Sequence, residues 1–448
     1  MSDQNHEVQV VALKAVRPHT NADRLQLATI FGNQIVVGLD HKDGDLGIYF
    51  NCDLQLSEEF AKANDLVKRK DDEGNPAGGM FEENRRVKCQ KLRGEKSDGF
   101  FIPLSSLEFA GSTAKLKVGD SFSEFNGTPI CYKYVSKLSK SCGKGGLGKH
   151  QAGRKNCMFN EHKSTSHAGR NMHQIIDTNA RIVITEKLHG TSQRYGRVLV
   201  ERELTWLEKQ AQKFLSKYIK VQDTMWGYMN GTRRVVIRNV HENGNAPHQP
   251  QLRDMAVEPF KDNLHKGEVI YFEVVGFTPE GKPIMPSVDT KKMRDKAFTK
   301  QFANVGDKRT MQYSYGCEEK QHDVYVYRIT QVNESGKEFE LSWDHVKKRC
   351  DELGVKYTPE VFAGSVEELI RTTLIDDCED EVSEENLLRS LDNMSEGESI
   401  VDPSHVREGI CIRLDGSEWV VFKHKSFTFK TLESIEKDSG VENMEDQS

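Results

Sequence analysis

Between residues 8 and 50, apolar and polar residues alternate in short runs: EVQVVALKAV, RLQLATIF, QIVVGL and LGIYF. Turn signals (RPHTNAD, FGN and DHKDGD) cut the runs apart. A period of two sends successive side chains to opposite faces of a strand. Clusters of Gly, Asn, Asp and Pro between such runs read as turns. RRVKCQKLRG and DGFFIPL continue the pattern beyond a polar, loop-like VKRKDDEGNPAGGMFEEN. Many short strands within roughly 125 residues predict a small β-barrel.

Further along, the chain mixes strands with helices. ARIVITEKL, RVVIRNV, EVIYFEVVGF and DVYVYRITQV read as strands, and TWLEKQAQKFLSKYI carries apolar residues at helical spacing. DHVKKRCDELG and SVEELIRTTLI predict helices, the first stopped at Gly354. EGICIRL and EWVVFKHKS return to strand. The expected class is α+β, with a barrel over 1–132 and a domain of antiparallel sheets and helices over 174–435. A helical and acidic insertion is expected at about 345–407. Within it, DDCEDEVSEENLLRSLDNMSEGES holds ten acidic residues against one Arg and reads as a solvated or partly disordered surface loop. The tail, 436–448, is expected to be disordered.

Between the two domains, residues 133–173 hold nine Lys/Arg and four His against one Glu, with many Gly and Ser. That composition predicts a flexible, solvated linker. It also suits a basic strap along a phosphate backbone, and a linker that orders on RNA would be both. Cys142, His150, Cys157 and His162 are legal zinc ligands, but their spacing fits no finger pattern well.

The net charge is only −6 with 29% charged residues, which excludes a globally basic nucleic-acid binder and confines any such site to a local patch. No apolar run spans a membrane, and MSDQNHEVQV lacks the pattern of a secretory signal. Nine scattered cysteines without a C-x-x-C pair predict reduced thiols in a reducing intracellular compartment, cytoplasmic or nuclear.

Lys187 stands just past the β-branched run RIVIT and three residues before Gly190. A lysine becomes a good nucleophile where burial or neighbouring cations favour its neutral amine. VVFKHKS supplies such cations: Lys423 and Lys425 are two apart on a predicted strand, so they share a face and could bind phosphates. Glu273 in YFEVVG and Glu408 in EGICIRL stand at strand ends, where carboxylates beside phosphates suit a divalent cation. Tyr325 or Tyr327 offers an aromatic ring for a base. Each has a plainer reading, such as a surface lysine, a turn glutamate or an edge-protecting K-x-K pair. Their order on successive strands favours a nucleotide site.

That order strongly resembles the covalent nucleotidyltransferase superfamily of ATP-dependent ligases and mRNA capping enzymes. KLHG at Lys187–Gly190 is similar to motif I, Arg238 in VVIRNV to the motif Ia arginine, and Glu273 to motif III. VYVYRI is similar to motif IIIa, Glu408–Gly409 to motif IV and Lys423–Lys425 to motif V. The resemblance implies that Lys187 accepts AMP from ATP while Lys423 and Lys425 hold the α-phosphate. It implies that Glu408 positions Mg²⁺ or Mn²⁺ and that Glu273 meets ribose or metal. Arg238 would touch ribose or a 5′-phosphate, Tyr327 ahead of Tyr325 would stack on adenine, and His189 would serve the second step. Glu186 and Gly190 join the nucleotide-binding set, with Arg194 as a further phosphate contact.

Two features point to one branch. Histidine at 189 resembles nick-sealing RNA ligases, where many DNA ligases and capping enzymes carry an acid. The β-rich block precedes motif I, whereas those enzymes place an oligonucleotide-binding (OB) domain after motif V. Here only about two dozen residues follow Lys425, too few for a domain. The arrangement resembles the Deinococcus/Naegleria-type RNA ligases. VRPHTNADRLQLATIFGNQIVV, GDLGIYF and VKCQKLRGEKSDGFFIPL are similar to hallmarks of their N-terminal OB domain. The resemblance spans roughly 8–125 and 157–430 and departs from it near 65–84 and in the acidic stretch.

The implied fold is an OB-type barrel followed by an ATP-grasp-like nucleotidyltransferase domain. The implied activity is sealing of RNA 3′-OH and 5′-phosphate ends in a nicked duplex through lysyl–AMP and AppRNA, as in RNA repair, by a monomer. Two other readings remain. A capping-type guanylyltransferase would use GTP; His189 and the domain order weigh against it. An inactive OB-fold RNA-binding protein is suggested by the likeness of HTNADRLQL to tRNA-binding modules; workable residues at all the motif positions weigh against it.

Overall fold

The computed structural model describes residues 6–52, 54–70, 73–74, 76–135, 158–162, 165–215, 222–233, 236–237, 250–303, 309–374 and 382–439. In the N-terminal domain the alternating runs pair as the pattern requires. Phe100–Pro103, Leu46–Phe50, Val8–Ala12 and Ser121–Phe122 form one sheet in that order, and Lys14–Pro18, Leu25–Ile30 and Asn33–Gly38 form another. Val8, Val10, Ile48 and Phe50 point to a core shared with Phe60 and Leu107. Val11, Leu13, Ile35, Val37, Tyr49 and Phe101 fill a second cluster.

The second domain is built on two sheets. One runs in the order Ser166–His167, Val421–Lys425, Gly409–Leu414, Ile182–Lys187, Glu360–Gly364. In the other, Thr224–Thr232, Thr191–Glu201, Glu268–Gly276 and His322–Val332 are successive neighbours. The chain passes from the first sheet to the second between Lys187 and Thr191. Leu188 lies there in a large core with Val183, Phe272, Val274 and Trp343. The helix Trp343–Leu353 ends at Gly354 with φ 67°, as its sequence predicts. No helix among the described residues is long and apolar enough to cross a membrane.

Three expectations are corrected. The acidic stretch is not simply a solvated loop, because Glu384–Ser395 is a helix capped by Ser383. Its Leu387, Leu388 and Leu391 pack beneath the first sheet with Ile184, Ile410 and Ile412. Acidic composition had masked an apolar stripe at helical spacing. The tail is not disordered from 436: the C-terminal helix runs Phe427–Ser439, and Glu436 is buried in it. Nor is 133–173 wholly linker. Cys131–Lys133 pairs with Leu54–Leu56 in the barrel domain, and Ser166–His167 adds to the first sheet of the second domain beside Phe422 and Lys423.

The barrel docks on the C-terminal helix. Lys430 pairs with Asp98, Arg86 Nη1 donates to Ser434 O at 2.9 Å, and the Lys96 ammonium lies 5.0 Å from the Phe427 ring centre. Among the described residues, Cys52, Cys89 and Asp98 bring ligand atoms within 4.8 Å of one another. The Lys430 ammonium already holds the place a cation would take there. Of the zinc candidates, Cys142, His150 and Cys157 lie outside the described residues. His162 is buried, with Nδ1 3.3 Å from Arg328 Nη1.

Candidate active site

Strand register assembles the lysines. Lys187 is opposite Gly409, which is opposite Lys425; Thr185 is opposite Cys411, which is opposite Lys423. Alternation puts Lys187, Lys423 and Lys425 on one face of the sheet. His424 points the other way, with Nε2 2.7 Å from Asp392 Oδ1. Gly409 permits the close approach, since a Cβ there would lie 2.2 Å from His424 O and 2.7 Å from Lys425 Cα.

Glu408 is fully buried and gathers the charges. Its Oε2 is 2.8 Å from Lys187 Nζ and 3.5 Å from His189 Nδ1, and its Oε1 is 3.3 Å from Lys425 Nζ. Burial alone would raise this carboxyl, but Lys187, Lys425 and His189 together hold it well below the usual carboxylate range. The His189 ring is wedged between Tyr313 and Phe429, each 4.8 Å away, and its backbone N–H donates to Tyr315 Oη at 2.6 Å.

The turn after Lys187 meets the second sheet closely. A Cβ on Gly190 would lie 2.4 Å from Val274 O and 2.9 Å from Glu273 Cγ, so only glycine lets Glu273 come this near. Cys411 marks where the two sheets' charges meet. Burial pushes its thiol up to about 11, Lys187 and Lys423 pull it down, and Glu408 and Glu273 push it up.

A bulge falls at the second tyrosine. Tyr271 pairs with Arg328 but Phe272 with Val326, leaving Tyr327 as the extra residue. Tyr325, opposite Glu273, belongs to the main core cluster, and Tyr327 packs with Tyr271 in a smaller one. The Tyr327 hydroxyl lies 2.7 Å from Ser192 Oγ, and Ser192 is opposite Glu273. Register sets Tyr325 opposite Glu273 as well, so both tyrosines stay on that side of the strand, and Tyr327 is the one whose hydroxyl reaches Ser192.

Two further predicted residues do not join the cluster through their side chains. Glu186, one residue before Lys187, turns to the opposite face and accepts from Ile400 N at 2.8 Å. Arg194 is buried over the Phe159 ring at 4.4 Å and donates to the carbonyls of Asn160 and Arg233. Arg238 lies outside the described residues. Sequence reasoning missed Cys411, although its place two residues after Gly409 puts it on the lysine face. It also missed Arg253, which donates to Thr191 Oγ1 at 2.9 Å and to Ser192 O at 3.2 Å. Burial pulls the Arg253 guanidinium down to about 10, and Glu273 opposes this. Nothing near Arg253 in the sequence signals that role.

Comparison with known proteins agrees with this architecture. Residues 180–431 match the RNA ligase family, and residues 7–104 match an OB-fold domain. Among solved structures, a Naegleria gruberi RNA ligase variant with ATP and Mn superposes at a TM-score of 0.57 with 16% identity, covering 96% of this chain and 99% of that one. A second variant, with AMP and Mn, gives 0.57 and 16% over 94% and 97%. The same ligase with PPi gives 0.55 and 15% over 94% and 97%. At this identity the likeness carries the fold, a barrel ahead of a two-sheet catalytic domain. No curated protein sequence matches the chain. The family match extends over more than half of the chain and includes every catalytic lysine candidate, and by it the chain belongs to the RNA ligase family.

Proposed function

We propose that the chain seals RNA 3′-OH and 5′-phosphate ends with ATP, as in nick sealing and RNA repair. The observation that carries this reading is the convergence of Lys187 and Lys425 on buried Glu408, with Lys423 on the same face. Neutral Lys187 Nζ attacks the α-phosphorus of ATP. The N–P bond forms, the bond from the α-phosphorus to the bridging oxygen breaks, and pyrophosphate leaves. An RNA 5′-phosphate oxygen then attacks the lysyl phosphorus, releasing the amine and forming AppRNA. Finally a 3′-OH attacks the 5′-phosphorus, and AMP departs.

In this scheme Lys423 and Lys425 stabilise charge building on the α-phosphate. Neighbouring ammonium groups favour the neutral form of Lys187. Tyr327 and Glu273 share the face on which base and ribose would lie. Carboxylates at Glu408 and Glu273 are the hard oxygen donors that suit Mg²⁺ or Mn²⁺, so the residues present fit such an ion. When bound, the ion neutralises phosphate charge and helps lower the amine pKa. The Naegleria structures, with ATP, AMP, PPi and Mn, support the same cosubstrate and metal class here.

The test is adenylylation. The protein, stripped with pyrophosphate of any carried AMP, is incubated with α-labelled ATP or GTP and Mg²⁺ or Mn²⁺, then run on a denaturing gel beside Lys187→Ala. Label from ATP, absent in the variant and discharged by 5′-phosphorylated nicked RNA, is expected. Label from GTP alone would point to a guanylyltransferase. No label from either would leave an RNA-binding protein.

A further inference from the structure

The C-terminal helix Phe427–Ser439 presents two working faces. Residues four apart lie above one another on a helix, so Phe429, Glu433 and Lys437 share one face and Lys430 and Ser434 another. The first face meets the KHK strand. Lys425 Nζ lies 3.2 Å from both carboxylate oxygens of Glu433 and 5.1 Å from the Phe429 ring centre, and Lys437 Nζ is 3.1 Å from Glu433 Oε1. The second face meets the barrel through Lys430–Asp98 and Arg86–Ser434. A cavity of about 70 Å³ between the domains is lined by Asp98, Arg170, Lys425, Lys430 and Glu433 among others. Charges alternate from Lys187 through Glu408, Lys425 and Glu433 to Lys437.

We infer that Glu433 is a positioning residue for Lys425, and that docking of the barrel on the C-terminal helix sets its place. The inference rests on the adenylyltransferase reading above. A second carboxylate shares the Lys425 ammonium, so Glu408 does not take it whole. Glu408 then stays available to Lys187 and to a metal, and Lys425 stands where a phosphate can reach it. Attraction between opposite charges in a half-buried site is strong, so with Glu433 neutral Lys425 moves fully onto Glu408. The barrel thereby reaches the chemistry through one helix rather than through contact with the reacting atoms.

The experiment is single-turnover adenylylation with labelled ATP, comparing wild type with Glu433→Gln, Glu433→Asp and Lys430→Met, each checked for folding by circular dichroism. Glu433→Gln is expected to lower the rate at saturating ATP by about 10- to 100-fold, as for a misplaced catalytic group. The ATP KM should stay within about threefold, and Glu433→Asp should recover much of the loss. Lys430→Met should slow the same step. Its double variant with Glu433→Gln should lose less than the product of the singles, because the two residues act through one helix. A folded Glu433→Gln protein at wild-type rate overturns the inference alone, as does an Asp variant no better than Gln. Should Gln unfold the protein, Lys430→Met decides: a wild-type KM with a reduced rate upholds the inference, and an unchanged rate overturns it. A wild type that takes no label removes the adenylyltransferase reading and this inference together.

Discussion

The ammonium of Lys187 lies 2.8 Å from Oε2 of Glu408, a carboxylate with no exposed surface. Glu408 therefore fixes where Lys187 rests, and attack on a phosphate requires Lys187 to leave it. Glu408→Gln removes the charge that orders Lys187, Lys425 and His189. Adenylylation should fall by about 100-fold or more. The rate of label transfer from ATP checks this, and a loss below about threefold would refute the role.

Tyr327 and Tyr325 should separate binding from stability. Tyr327→Ala is expected to raise the ATP KM roughly tenfold through lost base stacking. Tyr325→Ala empties a core position and should cost about 3–5 kcal/mol of stability, with the KM of the folded protein unchanged. ATP titrations and urea melts on both variants would reveal a reversed pattern.

Gly409→Ala places a Cβ against the backbone of the KHK strand, where the contacts are His424 O and Lys425 Cα. Backbone cannot swing aside as a side-chain tip can. We expect a loss of about 1–3 kcal/mol and adenylylation below detection. Gly416→Ala, with nothing within 4 Å of its added Cβ, serves as the control and should match wild type. Equal melting temperatures for the two variants would contradict the prediction.

His162 should make stability fall in mild acid. Burial first, then the guanidiniums of Arg328, Arg233 and Arg194, holds its imidazole well below the ordinary 6.5. Below that value the unfolded chain takes a proton that the folded one refuses. The stability is thus complete above about pH 6.5 and declines as pH falls, by up to about 1.4 kcal/mol per unit. Urea melts at about pH 7 and about pH 5.5 should show a shallower decline for His162→Gln than for wild type.

Much of the candidate site was legible because strands are local. The β-branched run before Lys187, the glycine after Glu408 and the two-residue spacing of Lys423 and Lys425 are properties of a few neighbouring residues. A period of two then fixes which of them share a face. The barrel was legible for the same reason, through its alternating runs and turn residues. The different surroundings of Tyr325 and Tyr327 were not, because a bulge against Tyr271 and Phe272 breaks the alternation that would make their places equivalent.

The C-terminal helix and the acidic stretch show the other limit. Both are charged enough to read as solvated, and each carries apolar residues whose partners lie far away in the chain. Leu388 packs with Ile184 and Ile410, and Leu432 lies in the main core with Leu188 and Phe272. By itself, the sequence determined the strands, the turn after Lys187 and the order of the ionisable residues, since these follow from backbone period and local side-chain chemistry. Tertiary structure alone decided that Glu433 would share Lys425, that Arg253 would stand beside Thr191 and that Glu186 would face away from the site. Burial and charge pairing depend on distance in space, which the order of residues does not specify.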